Sequence, residues 1–165
     1  MNLVQEILFE LLQAAEPRSL LCVADTPLSS VHQYKAHVDE CDVVSIPPES
    51  ALEALTQMGR FDYALLCGAL EMLDPQANSA LVARIRDMHC HRFAVTCRHQ
   101  DAHHRKDDWS EPQILSLALR LHRRIDLDGV WHSIYTYDID SYNPEREWNN
   151  PDSWANPGNF RRYRW

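Results

Sequence analysis

The chain has 165 residues, 45% of them apolar and 24% charged, an ordinary balance for one globular domain with a substantial core. Its net charge of −8 is uneven: residues 1–90 carry 5 basic and 13 acidic side chains, residues 91–165 carry 11 of each, which argues against broad nucleic-acid binding. No stretch approaches the roughly 20 apolar residues of a membrane-spanning helix, and the first basic residue is Arg18, so the start lacks a signal peptide's charged region. Five cysteines, an odd number, fit buried reduced thiols in a cytoplasmic protein.

Leu3, Val4, Ile7, Leu8, Leu11 and Leu12 recur at helical spacing, which predicts an amphipathic helix over residues 2–15, stopped at Glu16-Pro17. Leu20 to Ala24 reads as a strand buried on both faces. Asp25-Thr26-Pro27 turns the chain into a weaker helix over 28–37. Asp42 to Ile46 is a second strand, closed by Pro47-Pro48. Ala51, Leu52, Leu55 and Met58 mark a helix before Gly59.

The next stretch organises the rest. Tyr63 to Cys67 is an uninterrupted apolar run, ended by Gly68, and Asp74-Pro75 then combines a helix cap with proline at the first helical position. Ala77, Leu81, Ile85 and Met88 form one stripe of a helix over 75–88. Arg92 to Cys97 is a further strand. After a polar loop, Ser110-Glu111-Pro112-Gln113 reads as a capping box, starting a helix that carries Ile114, Ala118, Leu121 and Ile125 on one face. Gly129 breaks it, and residues 130–139 are β-rich, with Trp131, Ser133, Tyr135, Tyr137 and Ile139 on one side.

Alternation of strands and helices at this spacing predicts an α/β, Rossmann-like, mostly parallel sheet with flanking helices over residues 1–140. Residues 141–165 form an aromatic, Asn/Pro-rich extension. Asn143-Pro144, Asn150-Pro151 and Asn156-Pro157 start turns, while Trp148, Trp154 and Phe160 recur every six residues. Such a strap packs its rings on the domain, or else on a protein partner or second subunit.

Phe61-Asp62-Tyr63-Ala64-Leu65-Leu66-Cys67-Gly68-Ala69-Leu70-Glu71-Met72-Leu73-Asp74 resembles the fourth-strand motif of class I S-adenosylmethionine-dependent methyltransferases, roughly F-D-x-V-x-x-x-x-x-L-E-H-L. The order of elements over residues 2–139 is similar too. The resemblance implies a cofactor crevice above the carboxyl ends of the strands, with Asp25, Thr26, Ser45, Cys67, Gly68 and Glu71 as candidate contacts. It also defines departures. The family's first strand enters a glycine-rich turn, whereas this chain has Ala24-Asp25-Thr26-Pro27. The family's acid at the end of the second strand is replaced by Ser45-Ile46-Pro47-Pro48, its third strand has no counterpart, and Met72 stands in place of histidine.

Each candidate also has a structural role to fill. Asp25 and Thr26 suit the cap of the next helix, Glu71 a solvated helix start, and Cys67 the core. The leading expectation is a non-catalytic binding or accessory protein with a degenerate cofactor site and no bound cofactor. The first alternative is an S-adenosylmethionine-dependent methyltransferase acting on a small molecule. The second is a metal-binding protein using the His-rich stretch 89–104, where His89, Cys90, His91, Cys97, His99, His103 and His104 are ligand types. That set straddles a strand spanning about 20 Å, so its two halves reach one metal only if the chain folds back.

Overall fold

The computed structural model describes residues 2–38, 40–99, 111–142 and 158. Helix α1 (Leu3–Ala15) starts where Asn2 Oδ1 accepts the Gln5 N–H at 3.0 Å, and it buries Val4, Ile7, Leu8 and Leu12. It stops at Glu16, whose left-handed φ of 46° ends the helical path. Strand β1 (Ser19–Ala24) follows, then α2 (Ser29–His37), β2 (Asp42–Ile46) and α3 (Pro48–Ala54), which continues as a 3-10 turn over Leu55–Gln57. Strand β3 (Tyr63–Cys67) is buried at every position. It leads through a short α4 (Ala69–Met72) into α5 (Pro75–Arg84), whose cap Asp74 accepts the Gln76 and Ala77 N–H groups at 2.9 Å each. Strand β4 (Arg92–His99), α6 (Glu111–Ser116), β5 (Arg120–Leu127), β6 (Val130–Asp138) and α7 (Ile139–Tyr142) complete the described chain.

The six strands form one sheet in the order β2-β1-β3-β4-β6-β5. The first four run parallel, while β6 is antiparallel to both of its neighbours. Apolar residues alternate between two cores, as buried strands with covered faces require. Leu21, Val23 and Leu66 face one core with Ala51 of α3 and Leu81 of α5. Leu20, Cys22 and Leu65 face the other with Leu8 of α1 and Val31 of α2. The expected absence of a strand beyond β2 holds among the described residues, and β2 is an edge.

Asp62, the acid of the fourth-strand motif, sits at the amino end of β3, far from the crevice. Its Oδ2 accepts the backbone N–H groups of Arg18 and Ser19, both at 2.9 Å, which clamps the entry of β1 against β3.

Two expectations are corrected. The helix anticipated through Ile125 ends at Ser116, and Arg120–Leu127 is a strand paired with β6. Leu121 and Ile125 are four apart and imitate a helical stripe, but the hairpin is closed by Asp128-Gly129, both with positive φ (54° and 83°), the conformation a two-residue β-turn needs. The Gly129 N–H is held by Asp126 Oδ1 at 2.8 Å. A Gly129→Ala substitution forces a Cβ into this left-handed position and should cost about 1 kcal/mol, read from a urea midpoint shift at constant slope. The second correction concerns Met88. The last turn of the α5 segment, Ile85–His89, is a π-helix in which Cys90 N–H donates to Ile85 O at 2.8 Å. The extra residue in that turn rotates Met88 out of the stripe, and it is 61% exposed.

All five cysteines are free and buried. Among the described residues, no helix is long and apolar enough to cross a membrane. The strap's three Asn-Pro turns and its Trp148, Trp154 and Phe160 lie outside the described residues.

Candidate functional site

Parallel register brings the strand ends level: Ala24 pairs with Cys67 across β1 and β3, and Val23 with Ile46 across β1 and β2. The chain leaves β1 toward α2 on one side, while β3 adds on the other, so strand order reverses at β1. A crevice opens beyond that point in a sheet of this kind. Here it is an open groove of about 370 Å³.

Its polar lining comes from Asp25 and Thr26 in the turn after β1, Ser45 of β2, and His32 and Lys35 of α2. Val31, Ile46 and Pro47 supply apolar walls, and the Cys22 thiol lies at the floor. Burial pushes that thiol up to about 12, with Cys67 and Cys41 adding to the rise, so it is a protonated, unreactive wall. Thr26 Oγ1 donates to Asp25 Oδ1 at 3.4 Å, which fixes the turn's own side chains to each other.

Three of the six residues singled out from sequence, Asp25, Thr26 and Ser45, line the groove. The other three lie beside it on the β3 side. Gly68 has φ 77°, the left-handed conformation that favours glycine, and a Cβ added there would lie 3.7 Å from Asp25 Oδ1. The Cys67 thiol is buried and pushed up to about 12 by desolvation, against the pull of its hydrogen bond with Thr96. Glu71 is not a solvated helix-start acid. Its Oε1 accepts the backbone N–H of Arg98 and lies 3.7 Å from Arg98 Nε, with the side chain 20% exposed. β3 stops at Cys67, so the Glu71 carboxylate supplies the acceptor that a longer strand would have given β4. Burial raises its carboxyl above the ordinary value, the Arg98 N–H opposes that rise, and Asp25 adds to it.

His32 and Lys35 were not among the expected contacts. They sit three apart on α2, a helix with only a weak apolar stripe. The His-rich set divides as its spacing implied. His89 Nδ1 donates to Gly59 O at 2.9 Å and His91 Nε2 accepts from Arg60 at 2.7 Å, both at the amino end of β4, whereas Cys97 lies near the other end. Among the described residues, no three His, Cys, Asp or Glu are placed to hold a metal. His103 and His104 lie outside the described residues.

The profile of the Family of unknown function (DUF6231) matches residues 2–165. The chain belongs to that family. No curated protein matches this DUF6231 sequence. Solved structures similar to it include methyltransferases. One is the 1,6-didemethyltoxoflavin-N1-methyltransferase of Burkholderia thailandensis, solved with 1,6-didemethyltoxoflavin and S-adenosylhomocysteine. It is 15% identical with a TM-score of 0.55, over 82% of this chain and 79% of that one. An O-methyltransferase family protein of the same organism gives a TM-score of 0.59 at 9% identity, over 82% of this chain and 55% of that one. The methyltransferase domain of bacterial CtHen1-C gives 0.51 at 11% identity, over 83% of this chain and all of that domain. The DUF6231 chain therefore has a methyltransferase-like α/β fold.

Proposed function

We propose that this DUF6231 chain is a non-catalytic binding protein that has kept the methyltransferase fold and lost the cradle for S-adenosylmethionine. The observation that carries the reading is the turn after β1. It contributes the side chains of Asp25 and Thr26 to the groove where the resemblance calls for bare glycine backbone, and Pro27 has no N–H to offer. The end of β2 supports the same reading. It presents Ser45 and Pro47 to the groove rather than a carboxylate for ribose hydroxyls, and Glu49 is already in the first turn of α3. On this reading the cofactor does not fit the residues present, and no transfer step is derived. The extension 141–165 is the segment by which such a protein engages a protein partner or a second copy, since its spaced aromatic residues suit a chain that dips repeatedly into one surface.

Calorimetry with S-adenosylmethionine and S-adenosylhomocysteine tests the reading. The expected result is no measurable heat of binding for either. A dissociation constant near micromolar, about 8 kcal/mol of binding free energy, overturns it and favours a small-molecule methyltransferase with an atypical pocket.

A further inference from the structure

We propose that the groove beyond β1 and β2 binds a small organic oxyanion, a phosphate or carboxylate on a short hydroxylated body, whose acid group is held by Lys35 and His32. The inference rests on the binding-protein reading and names the ligand chemistry of the same groove.

Charge placement carries the argument. Among residues 1–90 the 5 basic side chains are Arg18, Lys35, Arg60, Arg84 and Arg86, set against 13 acids. Arg60 is bonded to His91 and Arg86 is paired with Asp87 at 2.7 Å. Lys35 is the one of the five that lines this groove, in the acidic half of the chain. His32 stands three residues before it, so both side chains leave the same face of α2. Ser45 and Thr26 bring hydroxyls to the groove. Asp25 lines it as well, beside Gly68 on the β3 side.

The groove is thus bipolar: the Lys35 ammonium on the α2 wall beside the His32 ring, a carboxylate in the β1 turn, and Val31, Ile46 and Pro47 as apolar surface. An acid group is attracted by Lys35 and repelled by Asp25, which fixes its orientation, and a ligand hydroxyl meets the Asp25 acceptor. Lysine is a mobile point charge and matches a rotating oxyanion better than a planar fork would. The amino end of α2 adds little, because the Ser30 N–H already donates to Gln5 Oε1 at 3.1 Å. S-adenosylmethionine carries its carboxylate and ammonium on one carbon, whereas the charges of this groove come from two elements, Lys35 on α2 and Asp25 in the turn after β1.

The test is amide-shift titration of the full-length ¹⁵N-labelled chain with glycerol 3-phosphate, glycerate and inorganic phosphate, with S-adenosylmethionine in parallel. The expected result is saturable shifts around Asp25 to Lys35 and Ser45 to Pro47 with glycerol 3-phosphate or glycerate, and the tighter of the two identifies the acid. Lys35→Gln should weaken that binding about tenfold, as loss of one charge-assisted contact does, without moving the melting temperature. Arg123→Gln, which removes an exposed cation on β5, should leave binding unchanged. Equal weakening in both variants means general attraction to cations and overturns the proposal. No saturable shift with any of the three acids also overturns it. If S-adenosylmethionine is silent as well, the non-catalytic reading survives that failure; if S-adenosylmethionine alone binds, both fall.

Discussion

Phe93→Ala should lower the unfolding free energy by about 3–5 kcal/mol, the range for removing a fully enclosed ring. Phe93 is completely buried at the second position of β4, in the core shared with Leu66, Leu81 and Ile85. Its ring stacks on Tyr137 of β6, with centroids 5.2 Å apart and planes at 30°. The substitution therefore removes both apolar burial and an aromatic contact at the seam where the parallel and antiparallel parts of the sheet meet. For a domain of this size the melting temperature should fall by roughly 10 °C or more. Urea denaturation followed by far-UV circular dichroism checks it, and a loss under about 1 kcal/mol would mean that the seam repacks without the ring.

Asp62→Ala should cost about 2 kcal/mol, because it removes the charged oxygen that accepts two hydrogen bonds, from the Arg18 and Ser19 N–H groups; the carboxylate's solvent exposure keeps the figure from being larger. The same clamp has a pH signature. Burial works to raise the Asp62 carboxyl, but the Ser19 and Arg18 N–H groups, the Ser19 hydroxyl and the Arg92 charge outweigh it and hold the group below its ordinary value. A folded value below the unfolded one gives stability that is fully present above about pH 4 and is lost as pH falls through the folded value. Asp62→Asn keeps an acceptor and removes the charge, so its stability relative to the parent should improve as the pH is lowered from 5 toward 3. A constant difference across that window would mean that Asp62 contributes geometry alone.

Much of the fold was legible because burial on both faces leaves a simple trace. Leu20 to Ala24 and Tyr63 to Cys67 have no polar alternation, and both are interior strands. β5 left no such trace. As an edge strand it exposes Arg120, His122, Arg123 and Arg124, and its structure depends on pairing with β6, a partner that local spacing does not encode. The Asp128-Gly129 pair was the signal to read, since it marks a hairpin more strongly than Leu121 and Ile125 mark a helix. In the groove, Asp25, Thr26 and Ser45 followed from the rule that parallel sheets hold ligands at their carboxyl ends. Lys35 and His32 did not, because a polar helix face that lines a groove has the same composition as one that meets water. Glu71 and Asp62 show the reverse case: residues matching the fourth-strand motif complete hydrogen bonds at strand ends, roles that a motif read as function conceals.

The buried thiols give the protein a chemical memory of its own opening. With the Cys22, Cys67 and Cys90 thiols each pushed up to about 12 by desolvation, the folded protein keeps these three sulfurs protonated at neutral pH. These three sulfurs are therefore poor nucleophiles while the sheet is closed, and adduct formation at them proceeds through the opened population. Cys22 reports on the β1 core under α1 and α2, while Cys90 reports on the opposite core beside Ile85. Oxidative damage would thus be written first into whichever layer of this sheet loosens more often.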